Sequence, residues 1–210
     1  MRGPLPSHAV IWVASLLLLV PPPAALSRAG AVSGRVAIVE RGNKSGTDVG
    51  QAVVWLEAAG AKPAPARAIS VITEGKEFRP RVSVVTVGST VTFPNNDPFN
   101  HNVFSLSSVS NFNLGRYPRG ESRARTFTKS GIVKVYCQIH SHMSATIMVF
   151  DHPYFVIPQV SGQFELANVP PGDYTLVGWH ERVGERTIPV HVDRGKVTNV
   201  VLRLPVEDNR

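Results

Sequence analysis

Short apolar runs with a two-residue period, broken every few residues by glycine or proline, leave this chain little choice but β-structure. In GIVKVYCQIH, Ile132, Lys134 and Tyr136 alternate with Val133, Val135 and Cys137, and SATIMVF (Ser144 to Phe150) resumes the pattern after a short loop. RPRVSVVTVGSTVTFPNND (Arg79 to Asp97) gives two more runs, split by a turn at Gly88 and Ser89, with apolar Val82, Val84, Val87, Val91 and Phe93 mostly two apart. Seventeen glycines and seventeen prolines supply the punctuation, and 43% apolar residues are enough for a real core. No segment beyond the N-terminal region carries a convincing helical apolar stripe, so an all-β protein is expected.

The flanks read the same way. GRVAIVE (Gly34 to Glu40) and AVVWLEA (Ala52 to Ala58) resemble the strands of a hairpin, and AGAKPAPARA (Ala59 to Ala68) has the composition of a linker. After Gln159 come SGQFEL, the turn NVPPGD, then YTLVGW, TIPVHV and TNVVLRL. Pro170, Pro171 and Gly172 punctuate this tail as hairpin turns do.

Met1 and Arg2 precede the apolar stretch Ala9 to Val20, which suits a secretory leader and is too short to span a bilayer. Ala29-Gly30-Ala31 offers an A-x-A cleavage site, and Ala25-Leu26-Ser27 a second. The expected product is secreted, periplasmic in a Gram-negative bacterium, with no stable membrane insertion once the leader is removed. The formal charge of +7 comes from scattered basic residues such as Arg116, Arg119, Arg123 and Arg125. They lack the aromatic interleaving of a nucleic-acid site, so no nucleic acid is expected.

Cys137 is the single cysteine, so no internal disulfide can form. Its neighbours point elsewhere. Cys137, His140 and Met143 are spaced C-x2-H-x2-M in the loop after GIVKVY, presenting thiolate, imidazole and thioether toward one point. His101 supplies a second imidazole from NNDPFNHNVFS. Two histidines, a cysteine and a weak axial methionine form an electron-transfer copper set, because the sulfur ligands favour Cu(I) and imidazole also serves Cu(II). A cysteine nucleophile with a histidine base leaves Met143 and His101 unexplained, and no zinc-protease motif occurs. His142 is read as a surface or docking residue. His180 and Glu181, with His152 and His191, could form a second metal site but read better as structural, and Met148 and Trp179 read as core.

These residues resemble the cupredoxins, most closely amicyanin and the plastocyanin-like proteins of methylamine utilisation. The resemblance rests on F-x-P at Phe78 to Pro80, V-x-x-G-S-T-V-T-F at Val85 to Phe93, N-x-D and H-N-V-F-S within Asn95 to Ser105, and V-x-V-Y-C-x-I-H-x-x-M-x-A-x-I-x-V from Val133 to Val149. It implies a Greek-key β-sandwich binding one type 1 copper ion. His101, Cys137 and His140 would be equatorial ligands, Met143 the axial one, and Asn102 would hydrogen-bond across to the ligand loop. The implied function is one-electron transfer to a partner protein docking near His140, not enzymatic catalysis. Copper storage, delivery or sensing, or a non-redox envelope module, is the alternative.

G-x-F-x-L-x-N-V-P-P-G-x-Y-x-L from Gly162 to Leu176 resembles the carboxypeptidase regulatory-like, transthyretin-like sandwich. The expected organisation is a leader (1–31), the first part of that β domain (32–60), a linker (61–76), the cupredoxin domain (77–151), the remainder of the regulatory-like domain (152–205) and a tail (206–210). An independent C-terminal module following the cupredoxin is the other arrangement.

Overall fold

A computed structural model describes residues 29–57 and 61–206; the expected leader core, Ala9 to Val20, lies outside them. Strands β1 (Gly30–Glu40), β2 (Lys44–Ser45) and β3 (Val53–Leu56) come first. Then follow β4 (Ala68–Ser70), β5 (Ile72–Glu74), β6 (Glu77–Arg79), β7 (Val82–Thr86), β8 (Thr90–Pro94), β9 (His101–Ser107), β10 (Ser110–Tyr117), β11 (Ser122–Thr126), β12 (Gly131–Tyr136) and β13 (Ser144–Phe150). The chain closes with β14 (Phe155–Val156), β15 (Gln163–Val169), β16 (Gly172–His180), β17 (Gly184–Val192) and β18 (Val197–Pro205). The only helical pieces among the described residues are 3-10 turns at Arg41–Asn43 and Val49–Gln51.

Strands β4 to β13 build one sandwich. Its five-stranded sheet runs β10-β9-β12-β13-β7 and faces a three-stranded sheet, β11-β8-β4. The chain crosses between sheets at the β7–β8, β8–β9, β10–β11 and β11–β12 connections, and β7 pairs in parallel with β13. Inward-facing Val85, Phe93, Val103, Phe127, Val133, Val135, Ile147 and Val149 fill the space between the sheets. The strands flanking this unit make a second sandwich, with β15-β1-β18 plus β2 against β14-β3-β16-β17. Val32, Ile38, Val54, Leu56, Leu176, Leu202 and Leu204 fill its core.

Three local expectations change. β1 and β3 are not a hairpin: β1 turns back onto β2, and the buried Val49 in the following 3-10 turn carries the chain to the opposite sheet. Likewise Pro170-Pro171 leads from β15 in one sheet to β16 in the other; the true hairpin is β16–β17. Period-two alternation identifies a strand but not the sheet that receives it. The segment read as linker, 61–76, contains β4 and β5, because Val71 and Thr73 are fully buried and Ile69 packs on the first core.

The two sandwiches share a third apolar cluster. Val82, Met148 and Phe150 of the first meet Val53 and Trp179 of the second, so Met148 and Trp179 are core at this junction. Glu181 caps it with ion pairs to Arg81 and Lys134, each 3.0 Å, and Lys134 lies over the Trp179 ring.

Two predictions follow from this packing. A Cβ on Gly34 would sit 2.2 Å from the Val200 carbonyl oxygen, a backbone atom that cannot swing away. Gly34→Ala is expected to cost about 1–3 kcal/mol and lower Tm by several degrees in a thermal melt. Burial holds the His152 and His180 imidazoles below their ordinary pKa. The unfolded chain therefore binds more protons just below about pH 6.5, and stability is lost as pH falls through that range toward the folded pKa values. Denaturant melts from pH 7.5 to 5 should show this slope, and His152→Gln should flatten it.

Candidate metal centre

His101 opens β9, Cys137 follows the last residue of β12, and the loop to β13 carries His140 and Met143. Backbone bonds close that loop on itself: Met143 N–H donates to the His140 carbonyl (3.0 Å), and Cys137 N–H to the Met143 carbonyl (3.3 Å). A tight loop between paired Tyr136 and Ser144 thus holds its side chains at the end of the sandwich. Cys137 and Met143 are buried in one apolar cluster, while His140 stays partly exposed.

One donor atom each from His101, Cys137 and His140 lies within 4.8 Å of the other two, the single such group of histidine, cysteine and acidic donors among the described residues. Cys137 Sγ is 3.8 Å from His101 Nδ1, and the two imidazole centroids are 4.9 Å apart. Ligand bonds of about 2.0 Å to nitrogen and 2.3 Å to sulfur, spread at about 120°, put donors about 3.8 Å apart. His140 Nδ1 is buried without a hydrogen-bond partner. An orphaned buried nitrogen beside a buried thiol is costly unless something fills the gap. Donor set, spacing and orphaned atom all fit a soft transition-metal ion.

Each imidazole is prepared by its surroundings. His101 is fully buried, and its Nε2 lies 2.9 Å from Asp97 Oδ2. Asp97 also accepts the backbone N–H groups of Gly75 (2.7 Å) and Lys76 (2.8 Å). Burial pushes its carboxyl up, but these donors and His101 outweigh burial and hold it below the ordinary carboxylate value. An ionised Asp97 takes the Nε2 proton in its hydrogen bond and leaves the Nδ1 lone pair facing Cys137. Burial, reinforced by His101 and Lys76, keeps His140 below the ordinary imidazole value, and so neutral.

Asn102 bridges two strands to the loop. Its Oδ1 accepts the Gln138 N–H (3.2 Å), and its Nδ2 donates to Asn113 Oδ1 (2.8 Å). His142 is exposed and outside the donor group, its ring 6.3 Å from that of His140. The other histidines stay apart: His152 stacks among Phe150, Tyr154 and Phe155, and His191 pairs with Asp173 on the surface. His180 Nε2 lies 3.3 Å from Asp48 Oδ2 without hydrogen-bond alignment, and Asp48 is gripped by Arg182. Asp97 and Asn113 escaped the sequence reading. A carboxylate four residues before a ligand-type histidine was the available signal for Asp97; nothing local marked Asn113.

No family model and no curated protein matches the chain. Among solved structures, it is similar to a copper-containing nitrite reductase of Thermus scotoductus, 30% identical over 45% of this chain and 25% of that one, TM-score 0.39. It is also similar to amicyanin of Paracoccus versutus, 20% identical over 46% of this chain and 97% of that one, TM-score 0.37. A purple cupredoxin of Nitrosopumilus maritimus is 25% identical over 41% of this chain and all of that one (100%), TM-score 0.35.

Removing the Asn102 amide leaves the Gln138 N–H without its side-chain partner and takes one of two donors from Asn113 Oδ1, which keeps the Gly115 N–H. Asn102→Ala is expected to cost about 1–3 kcal/mol in denaturant unfolding and to speed amide exchange at Gln138. Unchanged exchange there would show that the loop is held by its own backbone bonds alone.

Proposed function

We propose that this chain is an exported carrier of single electrons that holds one copper ion between His101, Cys137, His140 and Met143. The observation that carries this reading is the convergence of a buried thiol with two imidazoles, one of them, His140, with a buried Nδ1 that has no protein partner. Copper would supply a one-electron Cu(I)/Cu(II) couple, to which thiolate, thioether and imidazole are suited.

The chain's own residues do the rest. Asp97 fixes the ring and tautomer of His101, so Nδ1 needs no proton shift to act as a donor. Asn102 ties the ligand loop to β9. The cluster around Cys137 and Met143 excludes water from the sulfur side. These supports hold the donors in place whatever the oxidation state, which keeps the rearrangement per electron small. His140 alone reaches solvent, so its outer edge is the route for electrons. In this reading the leader-like N-terminus delivers the protein outside the cytoplasm, the inserted strands form the copper domain, and the flanking sandwich is its support.

The test is the visible and electron paramagnetic resonance spectrum of the Cu(II)-loaded protein. An intense thiolate-to-copper band with narrow hyperfine splitting is expected. Cys137→Ser should abolish the band, and Met143→Leu should keep it while raising the reduction potential. Asp97→Asn should weaken copper retention against a chelator about 10–100-fold. A pale, ordinary Cu(II) spectrum, or slow electron self-exchange with tight retention, would instead indicate storage or delivery.

A further inference from the structure

A cleft of about 470 Å³ opens where the two sandwiches meet beside the ligand loop. Gln51, from the turn before β3, forms its second-sandwich side. Arg79 and Arg81, either side of Pro80, and the consecutive residues His142, Met143 and Ser144 form the other. That volume lies in the range that holds small organic ligands, which collect at junctions of this kind. The walls are held before any ligand arrives. Gln51 N–H donates to the Asp48 carbonyl (2.8 Å), Glu181 grips Arg81, and Ser144 is paired with Tyr136.

The polar groups of the lining are unevenly satisfied. Glu77 is its one acid, and that carboxylate accepts from Arg79 Nε (3.2 Å) and Nη2 (3.0 Å). Arg81 gives Nε (3.1 Å) and Nη2 (3.0 Å) to Glu181. Each guanidinium keeps one nitrogen to spare: Arg79 Nη1 is 3.8 Å from Glu74, beyond hydrogen-bond reach, and Arg81 Nη1 has no partner among the described residues. The Gln51 amide, the His142 ring nitrogens and the Ser144 hydroxyl also make no hydrogen bond among the described residues. Gln51 and Ser144 are half-buried, so their polar groups are partly withdrawn from water with nothing in exchange. Donors outnumber acceptors here, which calls for an oxygen-rich anion.

We infer that this cleft binds a small hydroxylated organic acid, its carboxylate taken by the spare nitrogens of Arg79 and Arg81 and its hydroxyls by Gln51, His142 and Ser144. A compact inorganic oxyanion satisfies the cations but has no chain to span the junction to Gln51. A ligand that does span it ties the second sandwich to the segment His142 to Ser144, and so braces the loop that carries two of the candidate metal donors. The assignment is drawn from the cleft and does not depend on the electron-transfer reading.

The test titrates L-malate, a hydroxylated dicarboxylate, into the 15N-labelled full chain without added metal, with inorganic phosphate and glycerol as comparison probes. Saturable amide shifts centred on Gln51, Arg79, Arg81, His142 and Ser144 are expected with malate. Phosphate should bind there about tenfold more weakly or worse, and glycerol should show no saturation. Gln51→Ala and Ser144→Ala should each weaken malate about fivefold to tenfold, with the rest of the amide spectrum unchanged. Lys196→Gln on the second sandwich should leave malate binding as it was. Absent binding, shifts centred elsewhere, or a Gln51→Ala, Ser144→Ala double variant that binds normally overturn the proposal. Phosphate or glycerol binding in the cleft as tightly as malate also overturns it, since the ligand would then need neither chain nor charge. Copper uptake is read separately from the visible spectrum, so its failure removes the electron-transfer reading and leaves this titration decisive for the cleft.

Discussion

Strand β13 has almost no solvent face, and the arrangement of the molecule depends on that. Ala145, Ile147 and Val149 point into the first sandwich, while Met148 and Phe150 point into the junction with the second. A strand apolar on both faces must be covered on both. The second sandwich provides that cover through Trp179 and Val53, with Glu181 pinning the margin to Arg81 and Lys134. The same strand receives the chain from the ligand loop, with Ser144 paired to Tyr136. Whatever holds β13 therefore holds one end of the candidate site.

The other end is held through His101. Its ring is gripped at Nε2 by a carboxylate that is itself locked by two backbone N–H groups, so Nδ1 is directed at Cys137 by a chain of contacts reaching into the β5–β6 turn. Asn102, the next residue, reaches the ligand loop. Neighbouring residues on β9 thus serve different duties, one presenting a donor and one fixing the distance to the donors opposite. Rigid support of this kind distinguishes a built site from four side chains that happen to meet.

Much of this was legible in the sequence, for identifiable reasons. Alternation in Val133, Val135 and Cys137 gave both the strand and the inward direction of the thiol, because a period of two fixes side-chain direction along a strand. The loop spacing from Cys137 to Met143 brought its donors forward because so short a segment has few ways to turn. What escaped was non-local. The pairing of β1 with β18 rather than β3, and the grip of Asp97 by Gly75 and Lys76, depend on chain segments far apart in sequence. Residues 68–74 looked like linker because each strand there is three residues long, too short for periodicity to register.

The parallel pairing of β1 with β18, from Ala31 opposite Val197 to Val39 opposite Pro205, joins the first and last described strands. On the ribosome, then, β1 waits for nearly the whole chain before it finds that neighbour, whereas β4 to β13 emerge as a continuous segment that completes its own sheets much earlier. The sandwich that carries the candidate site is thus the older structure in each molecule's life, and its host is assembled beside it, with Val53 and Trp179 closing over the face of β13 that carries Met148 and Phe150.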